Sequence, residues 1–211
     1  DNCIVIANPT QADADGDGFV DVFVANDEMR HFLFRNEGGR RFVETGVETG
    51  VAYTDDGVPV SGMGNDFRDF DQDGRPDVIL TDLSGEPFSL YLNTAEGYFL
   101  PRSHAAGLGF ATILMGGWGI GAYDLDNDGY KDLFSANSHV SENVDFYGHH
   151  RYRQPDAVFR GSASGRYRDV TAGAGAAMQR ARAHRGCAFG DLDDGGRVDV
   201  IVATNGEAAG V

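Results

Sequence analysis

The chain has few basic residues, little cysteine and no long apolar segment. Its 211 residues include 17 Lys and Arg against 33 Asp and Glu, which gives a formal net charge of −16. Nucleic-acid binding needs a basic surface that meets the phosphates, so this balance argues against it. No run of about 18 apolar residues occurs, so no membrane span is predicted. The chain opens without a charged leader and apolar stretch, and we expect a mature or trimmed product.

Motifs for catalysis and for soft metals are also missing. Cys3 and Cys187 lie near opposite ends of the sequence and form no Cys-x-x-Cys pair, so zinc-ribbon and redox motifs are not predicted. Six histidines show no shared ligand spacing, which argues against a transition-metal site. Because nucleophile elbows and phosphate-binding loops are absent too, we predict that these residues carry no enzymatic activity.

Glycine is abundant, with 30 residues, and it accompanies an internal repeat. A nine-residue pattern recurs four times as DADGDGFVD, DFDQDGRPD, DLDNDGYKD and DLDDGGRVD. The four copies, termed Asp loops 1 to 4 below, begin at Asp13, Asp69, Asp124 and Asp191. A glycine stands five residues before three of them, at Gly64, Gly119 and Gly186. The match therefore extends beyond the loops into the segments before them.

The residues after each loop predict β-strands. Short β-branched and apolar runs begin at Val22, Val78, Leu133 and Val200. Two more such runs follow in each of the first three units, which gives about four strands per unit. Helical periodicity is limited to a weak stretch at residues 171–183. We therefore predict an all-β fold, a partial or open β-propeller of about three and a half four-stranded blades over residues 13–211. A Greek-key sandwich is the less favoured alternative.

The spacing within the loops points to calcium. Carboxylates at positions 1, 3 and 5 with glycine at position 6 let a chain wrap a hard cation, and position 7 donates its backbone carbonyl. Position 9 is always Asp, and it leads directly into a strand, whereas an EF-hand needs Glu at position 12 and flanking helices. The predicted cage is therefore closed by position 9 and joins two adjacent strands. Asp-Gly clusters also form turns, but a fourfold repeat of crowded, mutually repelling carboxylates favours metal binding.

The predicted ligands define three strong calcium sites and one degenerate site. The ligands of the strong sites are Asp13, Asp15, Asp17, Phe19 and Asp21; Asp69, Asp71, Asp73, Arg75 and Asp77; and Asp124, Asp126, Asp128, Tyr130 and Asp132. The fourth loop offers Asp191, Asp193, Arg197 and Asp199. Its position 5 is Gly195, so we expect weaker binding there.

Two segments resemble FG-GAP (VCBS-type) repeats, which occur in integrin-α-like propellers: GWGIGAYDLDNDGYKDLFSAN from Gly117 and CAFGDLDDGGRVDVIVATN from Cys187. The segment from Asn137 to Thr171 further resembles the cartilage acidic protein and ASPIC/UnbV-associated branch of that family. The resemblance implies a calcium-stabilised, extracellular or surface-exposed propeller, commonly of seven blades, used for adhesion or ligand display. The three and a half units in these 211 residues cannot by themselves close a seven-blade ring, and the ASPIC/UnbV segment that usually follows is not among them.

The first 21 residues separately resemble a thrombospondin type-3 calcium repeat. The matching positions are Asp1, Asn2, Cys3, Asn8, Gln11, Asp13, Asp15, Asp17, Gly18 and Asp21. Phe23 replaces the second cysteine of that motif, so Cys3 has either a bond to Cys187 or a free thiol. We treat residues 1–12 as an N-terminal segment or linker.

Three functions fit these patterns. The first is a secreted or cell-surface binding and adhesion module whose loops meet an unidentified protein or glycan. The second is a structural subunit of an extracellular assembly or fibre that self-associates through exposed blade edges. The third is the non-catalytic part of a larger secreted enzyme. An insertion at residues 139–156, rich in aromatic residues and Arg, is predicted to lie outside the blade core as a binding surface or as packing material.

Overall fold

The computed structural model describes residues 12–148 and 150–206. These residues form four antiparallel sheets, and strands that are consecutive in sequence are neighbours in each sheet. Blade 1 contains β1 (Val22–Val24), β2 (Phe32–Glu37) and β3 (Arg41–Glu44). Blade 2 contains β4 (Asn65–Arg68), β5 (Asp77–Leu80), β6 (Ser89–Asn93) and β7 (Phe99–Pro101). Blade 3 contains β8 (Gly117–Tyr123), β9 (Asp132–Asn137), β10 (Ala157–Arg160) and β11 (Arg168–Asp169). Blade 4 contains β12 (His184–Gly190) and β13 (Asp199–Thr204).

Helical structure in the described residues is limited to single turns. The α-helical turns are α1 (Gly46–Thr49), α2 (Leu108–Thr112) and α3 (Val144–Tyr147). The weak helical stretch predicted at 171–183 holds only two 3-10 turns, Thr171–Gly173 and Ala176–Gln179. Gly175, at a φ of 107°, separates the two turns, because this backbone conformation lies outside the helical region. None of these helices has the length or the apolar character needed to cross a membrane.

The apolar core lies between neighbouring sheets. Strand residues alternate in direction, so one face of each sheet meets the preceding blade and the other face meets the next one. Val78 on β5 packs with Phe23 of blade 1, whereas Ile79 packs with Leu133 of blade 3. Phe134 on β9 belongs to a third cluster, which includes residues of blade 4. Each blade therefore depends on its neighbours to bury its apolar faces, as expected for stacked repeats.

Glycine brings the first strands of blades 2, 3 and 4 into close contact. A Cβ atom on Gly64 would lie 1.7 Å from the carbonyl oxygen of Trp118, and one on Gly119 would lie 2.5 Å from the backbone nitrogen of Cys187. Any side chain at either position would push the backbones apart. Gly64 and Gly119, each five residues before an Asp loop, thus set the spacing between blades 2 and 3 and between blades 3 and 4.

The prediction of an all-β, propeller-like fold with a partial set of blades is confirmed. Within residues 12–148 and 150–206 the sheets do not close on themselves. Residues 1–11 lie outside the described residues, and with them Cys3 and most of the thrombospondin-like segment. Cys187 is half-buried on β12, and burial raises the pKa of its thiol to about 12.

The Asp loops and the predicted insertion lie at opposite ends of the sheets. Asp loops 2 to 4 each join the first and second strands of a blade, whereas the insertion joins the second and third strands of blade 3. Consecutive connections in an antiparallel meander alternate between the two ends of the sheet.

The described residues of the insertion are mostly exposed from Val140 to Arg151, as predicted, but Gln154 and Asp156 near its end are buried. The predicted boundary at residue 156 is therefore too late, because these two side chains are built into the blade.

Candidate metal centres in the Asp loops

The four Asp loops share one backbone conformation. Position 6 is glycine in every loop, with φ between 74° and 91°. Position 4 is also left-handed, at Gly16, Gln72, Asn127 and Asp194. Left-handed residues turn the chain sharply, so that side chains from both limbs of the loop point to a common centre. The turn at position 6 was predicted from its glycine. The turn at position 4 was not predicted, although three of the four residues there are types that tolerate this conformation.

The position 1 carboxylate organises each loop. Its two oxygens accept hydrogen bonds from backbone N–H groups at positions 5 and 6 in loops 2 to 4. In loop 1, Asp13 accepts them from Gly16, Asp17 and Gly18 at 2.8 to 3.2 Å. These bonds hold the carboxylate in place and also satisfy backbone donors that a sharp turn leaves unpaired.

The position 9 carboxylate ties its own loop to two neighbouring strands. In blade 2, Asp77 begins β5, accepts the N–H of Phe70 at 2.8 Å and accepts the N–H of Asn93, at the end of β6, at 2.8 Å. Asp132 has the same arrangement, with N–H groups from Leu125 and Gly161. Asp21 repeats it with Ala14 and Asn36. Asp199 accepts the N–H of Leu192. In loops 1 to 3 this residue is buried, so the tie between strands is shielded from water.

Carboxylate oxygens converge in every loop. The clusters combine positions 1, 3 and 9 in loops 2 to 4 and positions 1, 3 and 5 in loop 1, and within each cluster the oxygens lie within 4.8 Å of one another. The grouped residues are Asp13, Asp15 and Asp17; Asp69, Asp71 and Asp77; Asp124, Asp126 and Asp132; and Asp191, Asp193 and Asp199. Most of the predicted carboxylates therefore come together, although they lie up to eight residues apart in sequence.

The remaining position 5 carboxylates contact arginines. Asp73 pairs with the Arg75 guanidinium. In loop 3, Arg160 lies on β10 and its Nη2 is 2.7 Å from Asp126 Oδ2 and 2.9 Å from Asp128 Oδ2. This arginine was not predicted from the sequence, although its position in the repeat could have indicated it. Arg35 stands at the same position of blade 1, and its Nε lies 3.8 Å from Asp15 Oδ2.

The residues predicted to donate position 7 carbonyls directly follow the position 6 glycine of each loop. The N–H groups of Phe19, Arg75 and Tyr130 donate to the position 5 carboxylates of their own loops at 2.9 to 3.0 Å. Arg197 is exposed in loop 4. Their role as carbonyl ligands stays a prediction.

The carboxyl pKa values reflect burial and crowding. Burial, together with the nearby carboxylates Asp71 and Asp73, raises the pKa of Asp77 to about 7, against hydrogen bonds that lower it. The pKa of Asp21 and that of Asp132 are raised for the same reasons. Crowded carboxylates favour a bound proton or a bound cation, since either one removes the repulsion between them.

The donor set fits a hard divalent cation. It consists of carboxylate oxygens, with no histidine or thiol among the clusters of the described residues. Oxygen-only cages of this kind suit calcium better than zinc or copper, which prefer nitrogen and sulfur ligands. Loop 4 fits less well, because Gly195 supplies no carboxylate and Asp191 and Asp193 are exposed.

Comparison with known proteins agrees with the geometry. Residues 69–135, which run from Asp loop 2 into β9, match the FG-GAP-like repeat family. Cartilage acidic protein 1 of Mus musculus is 32% identical over 117 residues, which are 56% of this chain and 17% of that protein. Cartilage acidic protein 1 of Xenopus tropicalis is 36% identical over 72 residues, or 34% of this chain and 10% of that protein. The chain thus spans less than a fifth of the length of either relative. The predicted resemblance is confirmed: residues 69–135 are similar to FG-GAP-like repeats, and the chain is similar to cartilage acidic proteins.

Proposed function

We propose that this chain is a calcium-binding module of an extracellular repeat protein, in which the ions stiffen the blades and the opposite end binds a partner. The observation that carries the proposal is the fourfold carboxylate cluster, which recurs at the same end of every blade. The similarity to cartilage acidic proteins supports an extracellular setting. The proposed role is adhesion or ligand binding and involves no catalysis.

Asp loops 1 to 3 would hold the ions more strongly than loop 4. Calcium supplies charge neutralisation, which would relieve the repulsion among three or four carboxylates in each loop. The position 9 residues Asp21, Asp77 and Asp132 already connect their own loops to the end of the next strand through backbone N–H groups. An ion bound to the same side chains would therefore lock the loop to the sheet. Gln72 donates to the carbonyl of Gly129, so loops 2 and 3 also contact each other.

The candidate binding surface lies at the end of the blades away from the Asp loops. Phe146 and Tyr147 in the insertion are 80% and 86% exposed. Rings this exposed are costly to hydrate and are typical of protein or glycan contacts when a rigid scaffold presents them. Separation of the two ends allows calcium to control rigidity without occupying the binding surface.

Calorimetric titration of the intact chain with calcium chloride tests the proposal. We expect heat of binding, and we expect the double variant Asp124→Asn/Asp126→Asn to lose one site. Asp55→Asn, which removes an exposed carboxylate outside the loops, is the matched control and should leave the number of sites unchanged. Absence of calcium uptake by the wild-type chain would refute the proposal.

Self-association is a second candidate role, which we propose from the first and last blade faces of the described residues. Position 11 of the repeat faces the next blade and is buried in blades 1 to 3, at Phe23, Ile79 and Phe134, whereas Ile201 of blade 4 is half-buried. Beside it, a Cβ atom on Gly186 would meet no described atom within 4 Å. This forward face of blade 4 offers the surface that the other blades use to bind a neighbour.

The rear face of blade 1 has the complementary character. On this face Val22 lies opposite Phe34, and Val24 lies opposite Phe32, across β1 and β2. The four apolar side chains therefore point to one side of the sheet, and none of them is buried. In blade 2 the equivalent residues Val78 and Leu80 are fully buried against blade 1. A second copy can therefore add its blade 1 to blade 4, which is a heterologous contact that propagates into a ring or a fibre.

Two blocked variants test this head-to-tail contact by analytical ultracentrifugation. Ala188→Arg blocks the forward face and Val22→Arg blocks the rear face, and both residues are exposed. We expect each variant alone to be monomeric and their equimolar mixture to form dimers, because each keeps one intact face. Phe42→Arg, also on blade 1, replaces Val22→Arg if that variant unfolds. A monomeric wild type, or a mixture that stays monomeric, would exclude the contact.

A further inference from the structure

Five arginines gather at the end of the blades away from the Asp loops. This arginine patch consists of Arg151, Arg153, Arg180, Arg182 and Arg185. Arg151, Arg153 and Arg180 are exposed, and the other two are half-buried. The surrounding segments, residues 138–154 and 180–185, contain two carboxylates, Glu142 and Asp145. A locally cationic surface on a chain with a net charge of −16 creates a field opposite in sign to that of the Asp loops.

Three chain segments hold the patch together. Ser138 pairs with Arg153, and Gln154 pairs with Arg182, as antiparallel bridges. The N–H of Gln154 donates to the carbonyl of Arg182 at 3.0 Å, and the reverse bond is 3.1 Å long. The N–H of His139 donates to the carbonyl of Tyr152 at 2.9 Å. The arginines therefore stand on a narrow ribbon with a defined backbone.

A buried glutamine fastens this ribbon to the blades. Gln154 is 7% exposed, and its Oε1 accepts the N–H of Gly116 at 2.8 Å. Its Nε2 donates to Ser84 Oγ at 3.3 Å and to the carbonyl of Arg151 at 3.1 Å. The patch is thus supported by contacts to blades 2 and 3, and a ligand that binds it would need to order little of the backbone.

Aromatic rings lie among the guanidinium groups. Arg185 stacks over the Trp118 ring at 4.2 Å from the centroid and stands 5.8 Å from that of Tyr152. It also donates to the carbonyls of His184 and His139. The exposed rings of Phe146 and Tyr147 extend from the same insertion. Such rings pack well against the apolar faces of sugars, whereas the guanidinium groups bind sulfate and carboxylate through paired hydrogen bonds.

We propose that the arginine patch binds a sulfated polysaccharide. Its three exposed cations lie along the surface of a ribbon rather than in a cavity, so an extended polyanion fits it better than a single small anion. The neighbouring aromatic rings favour a sugar polymer over an acidic peptide. The choice of a sulfated glycan also rests on the extracellular setting proposed above. Both nearby carboxylates have local partners. Glu142 accepts a hydrogen bond from Tyr152 Oη, and Asp145 accepts one from the Tyr152 N–H and pairs with Arg151.

Binding of a heparin oligosaccharide of defined length tests this proposal. We expect the intact chain to bind it, with an affinity that falls as salt rises, because binding releases counterions. The double variant Arg151→Gln/Arg153→Gln should weaken binding about tenfold and lower the salt slope by about two, one for each cation removed. The matched control is Arg40→Gln/Arg41→Gln, which removes two exposed arginines from blade 1 and should change neither quantity. Single Arg151→Gln serves if the double variant does not fold.

Three results would overturn the proposal. The first is that the intact chain does not bind the oligosaccharide. The second is an equal loss in the control variant, which shows that total charge rather than the patch is responsible. The third is equally tight binding of polyglutamate or single-stranded DNA, which removes the specificity for a glycan. Calcium uptake is measured on the same samples, so failure of glycan binding with intact calcium uptake rejects this inference and leaves the calcium proposal standing.

Discussion

Gly119 and Gly186 occupy the same position of the repeat but have different surroundings. A Cβ atom on Gly119 would lie 2.5 Å from the nitrogen of Cys187 and 3.0 Å from the carbonyl carbon of Gly186, whereas one on Gly186 would meet no described atom within 4 Å. Neither residue has a left-handed φ. The substitutions Gly119→Ala and Gly186→Ala therefore make the same chemical change and differ in packing alone.

We expect Gly119→Ala to be strongly destabilising. Two of the three atoms that it would meet belong to the backbone of β12, so the two strands must separate. Overpacking of this kind costs about 1 to 3 kcal/mol. For a chain of this length that corresponds to a fall in melting temperature of about 2 to 12 °C. Gly186→Ala should stay within about 0.5 kcal/mol of the wild type.

Thermal unfolding followed by the fluorescence of Trp118 measures both effects. Trp118 is the single tryptophan of the chain, and it lies next to Gly119 at the junction of blades 3 and 4. The samples should be dilute enough to be monomeric, so that self-association through blade 4 does not contribute. If Gly186→Ala were as destabilising as Gly119→Ala, the spacing of the blades would not depend on these glycines and our reasoning would be wrong.

Three further predictions concern single side chains. Burial lowers the pKa of His31 to about 4. The unfolded chain therefore binds a proton at His31 more strongly than the folded chain does, so the free energy of unfolding should fall by about 3 kcal/mol as the pH drops from 6.5 to 4. His31→Asn should flatten the pH dependence of the melting temperature over this range. Arg160→Leu introduces the residue that stands at the same position of blade 2, Leu92, and removes a cation from loop 3. The calcium affinity of loop 3, measured by calorimetry, should rise up to about tenfold. A lower affinity would show that Arg160 supports the site. Gly74→Ala places a side chain at a φ of 88° without any clash and should cost about 1 kcal/mol in urea unfolding, whereas Gly173→Ala should not.

Local patterns predicted the strands well, because these depend on nearest neighbours in sequence. The apolar runs from Val22, Val78, Leu133 and Val200 form β1, β5, β9 and β13. Alternation along these strands determines which side chains face each neighbouring blade. The Asp at position 9 was predicted as a metal ligand. Its hydrogen bonds to backbone N–H groups near the end of the next strand were not predicted, because the bonded residues lie 15 to 29 positions apart in sequence.

Features that depend on contacts between strands or between blades were beyond the sequence pattern. The pairing of Arg160 with loop 3 requires knowledge of where β10 ends relative to Asp126. The arginine patch likewise combines the insertion with residues 180–185, which belong to the approach to blade 4. Composition even pointed the other way, because the overall charge of −16 conceals a local excess of positive charge.

Calcium dependence of the melting temperature tests the central claim most directly. If each loop binds calcium with a dissociation constant of about 0.1 to 1 mM, a tenfold excess stabilises the fold by about 1.4 kcal/mol per site. Three sites then contribute about 4 kcal/mol, which corresponds to a rise of about 8 to 16 °C. We predict this rise in calcium, its loss in EDTA and a weak response to magnesium, which requires tighter octahedral geometry. A melting curve that is the same in calcium and in EDTA would show that the aspartates only form turns.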